Sequence, residues 1–186
     1  MYSGRAGLSR SCRLGRLCLR FAGVCYGAHD PRWSFKPASG DGAALRGARF
    51  NPKDVPALYL ALGIIGAVKE ASQGFAHRID PCVLCAYEVD CKHIADLRTE
   101  AGRDAARVRR EDMSCAWMDF LARGERPPSW DIHDRVTPVS AGILVPSFAS
   151  GAGEDDHNIV LWRWGDAGHR VYVIDPDGRL PRSRAS

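Results

Sequence analysis

No run of eighteen apolar residues occurs anywhere in the 186-residue chain, which excludes a transmembrane helix. No self-similar period is visible either, so a solenoid or propeller is excluded. Acidic residues are missing from the entire stretch before Asp30, where five arginines stand: Arg5, Arg10, Arg13, Arg16 and Arg20. Subtracting those five from the 26 basic residues leaves 21 against 22 acidic ones, a net charge of −1 for the rest. The body is therefore close to neutral. It lacks the clustered Lys and Arg with which a nucleic-acid surface displaces counterions. The familiar catalytic signatures are also absent: no G-x-x-x-x-G-K-[ST], no G-x-G-x-x-G between strand and helix, no H-E-x-x-H and no G-x-S-x-G. Six histidines never fall at metal-ligand spacing on a helix, and each by itself reads as a surface or packing residue.

What is present is an ordinary globular composition, 45% hydrophobic and 26% charged, enough for one domain with a real core. Nineteen glycines and eleven prolines without a period predict many turns. Seven cysteines, an odd number, with no apolar leader of secretory type, read as reduced thiols in a cytoplasmic protein. Cys82 and Cys85 have metal-ligand spacing, but they lie in an apolar, strand-like stretch with no second ligand pair at zinc distance. Buried small hydrophobes are the expectation there, and no metal.

Residues 1–24 form a basic N-terminal arm. Leu14, Leu17, Cys18 and Phe21 fall on one helical stripe flanked by Arg13, Arg16 and Arg20. Such a segment fits a transit peptide, a surface helix or a docking arm, or simply a partly ordered extension. Residues 25–56 are dense in turn chemistry, which predicts an irregular backbone of the kind that carries function. Ala57–Leu62 reads as a buried strand, and Ile64–Phe75 as a helix with Ile65, Val68, Ser72 and Phe75 on one face. Val83–Val89 is a strand that Ile94–Leu97 extends after a turn. Residues 99–123 read as a helix capped by Thr99, with Met113, Trp117, Phe120 and Leu121 buried, and Pro127-Pro128 stops it. Trp130–Val136 is a short helix and Gly142–Val145 a buried strand. Asn158–Trp164 and His169–Ile174 are strands joined by a Gly165-Asp166-Ala167-Gly168 turn, and a polar tail follows Pro176. Strands and helices that do not alternate strictly predict an α+β fold with a mixed or antiparallel sheet.

Several polar groups stand where polarity is unexpected. Arg46 and Arg49 flank Gly47 in the turn-rich stretch, where an arginine fork beside backbone N–H groups suits a pyrophosphate; pairing with an acid to pin the loop is the plain alternative. Tyr59 lies in an apolar strand, as core or as site. Glu70 lies on a helix of small and apolar residues, either buried and needing a partner or facing solvent beside Lys69. Ser147 follows a strand end, a position as ordinary for a turn as for an active site. Glu154-Asp155-Asp156 is a solvated turn or a hard-cation loop. These residues indicate a pocket for a small anionic ligand and nothing sharper.

They also carry a family likeness. Ala28-His29-Asp30-Pro31-Arg32-Trp33-Ser34-Phe35, Ser39-Gly40-Asp41-Gly42-Ala43-Ala44 and Gly47-Ala48-Arg49-Phe50-Asn51-Pro52 resemble the opening of the RES domain, named for its Arg, Glu and Ser. Pro56–Leu62 is similar to its next strand, Glu70-Ala71 to its helix glutamate, and Ile143–Phe148 with Asn158–Trp162 to its late strands. The likeness runs from about Cys25 to Pro181, with a polar tail 182–186. It implies an ADP-ribosyltransferase-like α+β fold with mixed or antiparallel sheets around an NAD cleft. By the same likeness, the function is that of a bacterial toxin consuming NAD+ as substrate, by hydrolysis, phosphorolysis or ADP-ribose transfer to a protein. The implied partner is a cognate Xre-like antitoxin, with no direct nucleic-acid or membrane contact. The resemblance assigns catalysis to Glu70, Arg49, Tyr59 and Ser147, with Ser150 and Ser39 as rivals for the serine. It assigns NAD binding to Tyr26, Arg32, Ser39, Arg46 and Asn51. Two departures stand out. Gly27 occupies the place of a cleft arginine, which implies an attenuated antitoxin- or nucleotide-binding relative as the alternative, with Gly27→Arg expected to raise turnover. Ala48 stands where the family has glycine.

Overall fold

The computed structural model describes residues 18–72 and 81–183. The proposed helical stripe at Leu14 and Leu17, the end of the helix at Phe75, and residues 184–186 of the tail lie outside the described residues.

The elements in chain order are β1 (Cys18–His29), a 3₁₀ turn (Pro31–Trp33), α1 (Asp41–Ala44), β2 (Leu58–Ala61), α2 (Ile64–Ser72) and β3 (Val83–Asp96). They are followed by α3 (Glu100–Ala106), α4 (Arg110–Ser114), α5 (Trp117–Ala122), α6 (Pro128–Val136), β4 (Gly142–Pro146), β5 (His157–Leu161) and β6 (His169–Val173). The strands form one six-stranded sheet in the order β1-β2-β5-β4-β3-β6, and β1 also pairs with β3. That second pairing closes β1, β2, β5, β4 and β3 into a ring, with β6 on the outer flank of β3. Only β3–β4 is parallel, so the sheet is mixed, as the α+β reading requires.

Strand β1 overturns the helical reading of Cys18 and Phe21. Its ladder with β3 runs from Cys18 opposite Ala95 to His29 opposite Val83, broken by a register shift between Leu19 and Phe21. Eleven cross-strand pairings outweigh the weak helix propensity of a stretch holding Gly23, Gly27 and Val24. Arg20 belongs to this ladder rather than to a separate arm: it pairs with Asp90 on β3 at 2.6 Å, and Arg170 on β6 reaches the same carboxylate. The two guanidinium groups hold the Asp90 carboxyl well below the usual carboxylate range.

The expected helix over 99–123 is three short helices instead. Thr99 caps the first as predicted, its hydroxyl accepting from Gly102 N, but Arg107 in the left-handed region ends it. Met113 is fully buried, whereas Trp117, Phe120 and Leu121 are only half-buried.

The core lies on both faces of β4 and β5. Ile143, Val145 and Val160 face Met113, Ile132 and Val136 of the helical layer. Leu144, Ile159 and Leu161 face Leu60, Tyr87 and Val89. Period-two alternation sends successive residues to opposite cores. Cys25, Cys85 and Cys91 are buried in this second core, but Cys82 is exposed and departs from the expected burial. Desolvation pushes the Cys25 and Cys91 thiols up to about 12, which leaves them inert packing groups.

Candidate functional site

Three loops and one helix meet at the end of the β2–β5–β4 sheet. The first loop, residues 47–52, is built on the left-handed conformation of Gly47 (φ 77°). A Cβ there would stand 2.8 Å from the Trp130 ring and 3.0 Å from Asn51 O, so only glycine fits. Trp130 Nε1 donates to Ala48 O at 2.7 Å and Trp162 Nε1 to Phe50 O at 3.0 Å, fixing the loop from two sides.

Asn51 is wholly buried. Its amide nitrogen donates to Ala43 O, Pro52 O and Val55 O, and its Oδ1 accepts from the Tyr59 hydroxyl at 2.8 Å. Tyr59 Oη in turn accepts from Phe50 N at 2.8 Å, and burial raises the phenol pKa well above its ordinary value. Both side chains are committed to the loop. This corrects the expectation for Asn51, whose closed hydrogen-bond set leaves nothing for a ligand, and gives Tyr59 an anchoring part through its hydroxyl.

That anchoring presents Arg49. Its Nη1 donates to Cys115 O at 2.8 Å and Met113 O at 3.2 Å, at the end of α4, and its guanidinium lies 5.1 Å from the Phe148 ring centre. Among the described residues, Nε and Nη2 make no hydrogen bond, so part of the fork is open to an anion. Burial lowers the Arg49 pKa from its usual value, opposed by the nearby Cys115, Glu70 and Tyr59; a guanidinium stays charged nonetheless.

Helix α2 supplies Glu70. The face that carries Ile65 and Val68 points outward: Ile65 is 63% and Val68 37% exposed, and Gly66 and Ala67 turn inward. The reason is close approach, since a Cβ on Gly66 would lie 3.3 Å from Ala61 Cβ. Lys69 pins the helix to the loop before β5 through Asp156 at 2.7 Å, and Gly153 N also donates to that carboxylate. Asp156 is thus a structural clamp, and its pKa lies below the usual range because of these donors. Among the described residues no group of three His, Cys, Asp or Glu side chains is placed to hold a metal.

Ser147 follows β4 and is held by a bond from its backbone N–H to Asp156 O at 2.7 Å. Its hydroxyl donates to Glu70 Oε1 at 2.7 Å. Asn158 of β5 donates from Nδ2 to the same oxygen at 2.6 Å. Glu70 is therefore both exposed and partnered, so neither alternative read from the sequence was complete. Sequence reasoning missed Asn158. The available signal was a polar residue near the start of an otherwise apolar strand, directly after the acidic loop.

The remaining positions lie apart from this cluster. Ser39 lines a concavity of about 330 Å³ together with His29, Trp33, Lys36 and Tyr59, and its Oγ accepts from Asp41 N. Tyr59 lines the concavity, and its hydroxyl reaches the Arg49 loop at Phe50 N and Asn51 Oδ1. Tyr26 sits half-buried on β1 opposite Ala61. Arg32 is exposed and paired with Asp30, and Arg46 is exposed on the turn after α1. A second concavity of about 380 Å³, lined by residues such as Val83, Ile174 and Leu180, shares no residue with the cluster. Ser150 is exposed and makes no hydrogen bond with Glu70 among the described residues.

The space beside Gly27 is not open. A Cβ there would lie 3.0 Å from Leu60 Cδ2 and 3.3 Å from both His29 Nε2 and Tyr87 Cε2. His29 Nε2 and Tyr87 Oη are hydrogen-bonded to each other, and Tyr87 donates to Pro37 O at 3.0 Å.

Residues 24–183 match the family model described as RES domain. Among solved structures, the chain is similar to one described as the crystal structure of the M. tuberculosis MbcT–MbcA toxin–antitoxin complex. The TM-score is 0.60 at 19% sequence identity, over 90% of this chain and 92% of that one. At that identity the likeness is one of fold. No curated protein matches the chain. No helix among the described residues is long and apolar enough to cross a membrane.

Proposed function

The chain belongs to the RES domain family, and on that premise we propose that it is the toxin of a bacterial toxin–antitoxin pair that consumes NAD+ in the cytoplasm. The observation that carries the reading is the convergence of Arg49, Glu70 and Ser147 from three separate segments onto one end of the sheet. A solved neighbour described as a toxin–antitoxin complex supports the assignment of an antitoxin partner, here expected to be Xre-like.

The chemistry fits these groups. When the C–N bond between nicotinamide and ribose breaks, its electron pair neutralises the pyridinium, and positive charge develops on the sugar. The Glu70 carboxylate stabilises that charge at close range. Nicotinamide leaves neutral, so no strong general acid is needed and no metal is invoked. The open part of the Arg49 fork binds the pyrophosphate. The 330 Å³ concavity lined by Ser39 and Tyr59 would take the far part of the dinucleotide. Water, phosphate or a protein side chain then takes the ADP-ribosyl group.

Purified protein is expected to deplete NAD+ with stoichiometric release of nicotinamide, and a rate dependent on phosphate would identify phosphorolysis. Binding of NAD+ by thermal shift without turnover would support the attenuated reading. Absence of both would overturn the function.

The attenuated reading rests on Gly27, and the packing there alters what its replacement should do. Gly27→Arg has to displace Leu60, His29 or Tyr87. Overpacking of this kind costs about 1–3 kcal/mol, which for a domain of this size lowers Tm by roughly 2–12 °C. The expected result is a less stable protein with no gain in rate, checked by thermal denaturation and NAD+ assay side by side. A faster variant with unchanged Tm would show that position 27 faces an open cleft.

A further inference from the structure

Asn158 is held by the sheet on both sides. Its backbone is registered between Ala61 of β2 and Val145 of β4, so it lies in the interior of the sheet. Its Nδ2 and the Ser147 hydroxyl both donate to the same carboxylate oxygen, Glu70 Oε1, at 2.6 and 2.7 Å. Among the described residues, Glu70 Oε2 receives no hydrogen bond. One oxygen is held and the other is presented.

The opposite end of the Asn158 amide has no such partner. Its Oδ1 is buried and makes no hydrogen bond. A buried carbonyl without a donor is unfavourable for folding, and an apolar side chain of the same shape would relieve it. Flipping the amide does not help, because it would set a carbonyl oxygen against the carboxylate and orphan the NH₂ group instead. The arrangement disfavours stability and favours one orientation of Glu70.

We infer that Asn158 is a positioning residue: with Ser147 it clamps Oε1 of Glu70, so that the unheld Oε2 is aimed at the sugar carbon where positive charge develops. The inference rests on the proposed cleavage of NAD+. It assigns Asn158 an effect on the chemical step and not on ligand binding, since among the described residues the one hydrogen bond of its amide goes to the carboxylate.

Asn158→Leu tests this. Loss of an orienting hydrogen bond behind a reacting group is expected to lower kcat by about 10- to 100-fold, with KM for NAD+ within about threefold of wild type. Tm should be unchanged or higher, because the orphaned acceptor is gone. In parallel, the Glu70 carboxyl ¹³C resonance, assigned by its disappearance in Glu70→Gln, should move in Asn158→Leu. A wild-type protein that does not consume NAD+ would sink the functional reading, while the resonance would still report whether Asn158 holds Glu70. An unmoved resonance, or an unchanged kcat in an active protein, would overturn the inference. A fall in Tm with kcat and KM worsening together would also overturn it, because that is the signature of a structural residue.

Discussion

Glu70→Gln is expected to reduce NAD+ turnover by about 10²–10³-fold, the loss seen when a preorganised electrostatic stabiliser is removed from the reacting centre. The substitution is isosteric. The glutamine carbonyl can still accept from Ser147 Oγ and Asn158 Nδ2, the two donors that hold Oε1 at 2.7 and 2.6 Å. The fold around α2 is secured elsewhere, by the Lys69–Asp156 pair and the inward packing of Gly66 and Ala67. Tm should therefore change little while kcat collapses, and KM should move far less than kcat. Nicotinamide release by the two proteins at equal concentration checks the rate. Undiminished release from the glutamine variant would remove Glu70 from the chemistry.

Arg49→Lys should raise KM for NAD+ by roughly 10- to 100-fold, the range expected when one or two hydrogen bonds to an anion are lost. Arg49 performs two tasks at once. Nη1 bridges the carbonyls of Met113 and Cys115, which ties the 47–52 loop to the end of α4, while Nε and Nη2 make no hydrogen bond among the described residues. A lysine ammonium is a single point and cannot bridge those carbonyls and grip a pyrophosphate together. It also loses planar contact with the Phe148 ring. Some loss of Tm is expected from the loop anchor. Because the substitution keeps the charge, added salt should weaken NAD+ binding by both proteins alike, and the gap in KM between them should persist across ionic strength. Equal KM values for the two proteins would separate Arg49 from the dinucleotide.

The site was legible in part because its residues stand in contiguous motifs. Gly47-Ala48-Arg49-Phe50-Asn51-Pro52 declares a constrained loop by its glycine and proline, and the structure confirms that Gly47 is obligatory there. A motif names residue types but not the direction of their side chains. Asn51 and Tyr59 look like ligand groups in sequence, yet they satisfy each other inside the protein. Asn158 carried no motif of its own, and it reaches Glu70 across 88 positions of sequence. No local pattern records such a pair.

By itself the sequence determined the fold class, the neutral body, the strands that flank the site and the family. Those properties follow from composition, hydrophobic period and short motifs, all local quantities. Tertiary structure alone decided that Cys18–His29 is a strand, that the residues 99–123 break into three helices, and that Ile65 and Val68 face outward. It also decided which oxygen of Glu70 is held. Each of these is set by a partner far along the chain: β3 for β1, Ala61 for the face of α2, β4 and β5 for Glu70. A weak local preference for helix yields to a long ladder of pairings, because cooperative backbone hydrogen bonds and cross-strand contacts together outweigh a few tenths of a kcal/mol per residue.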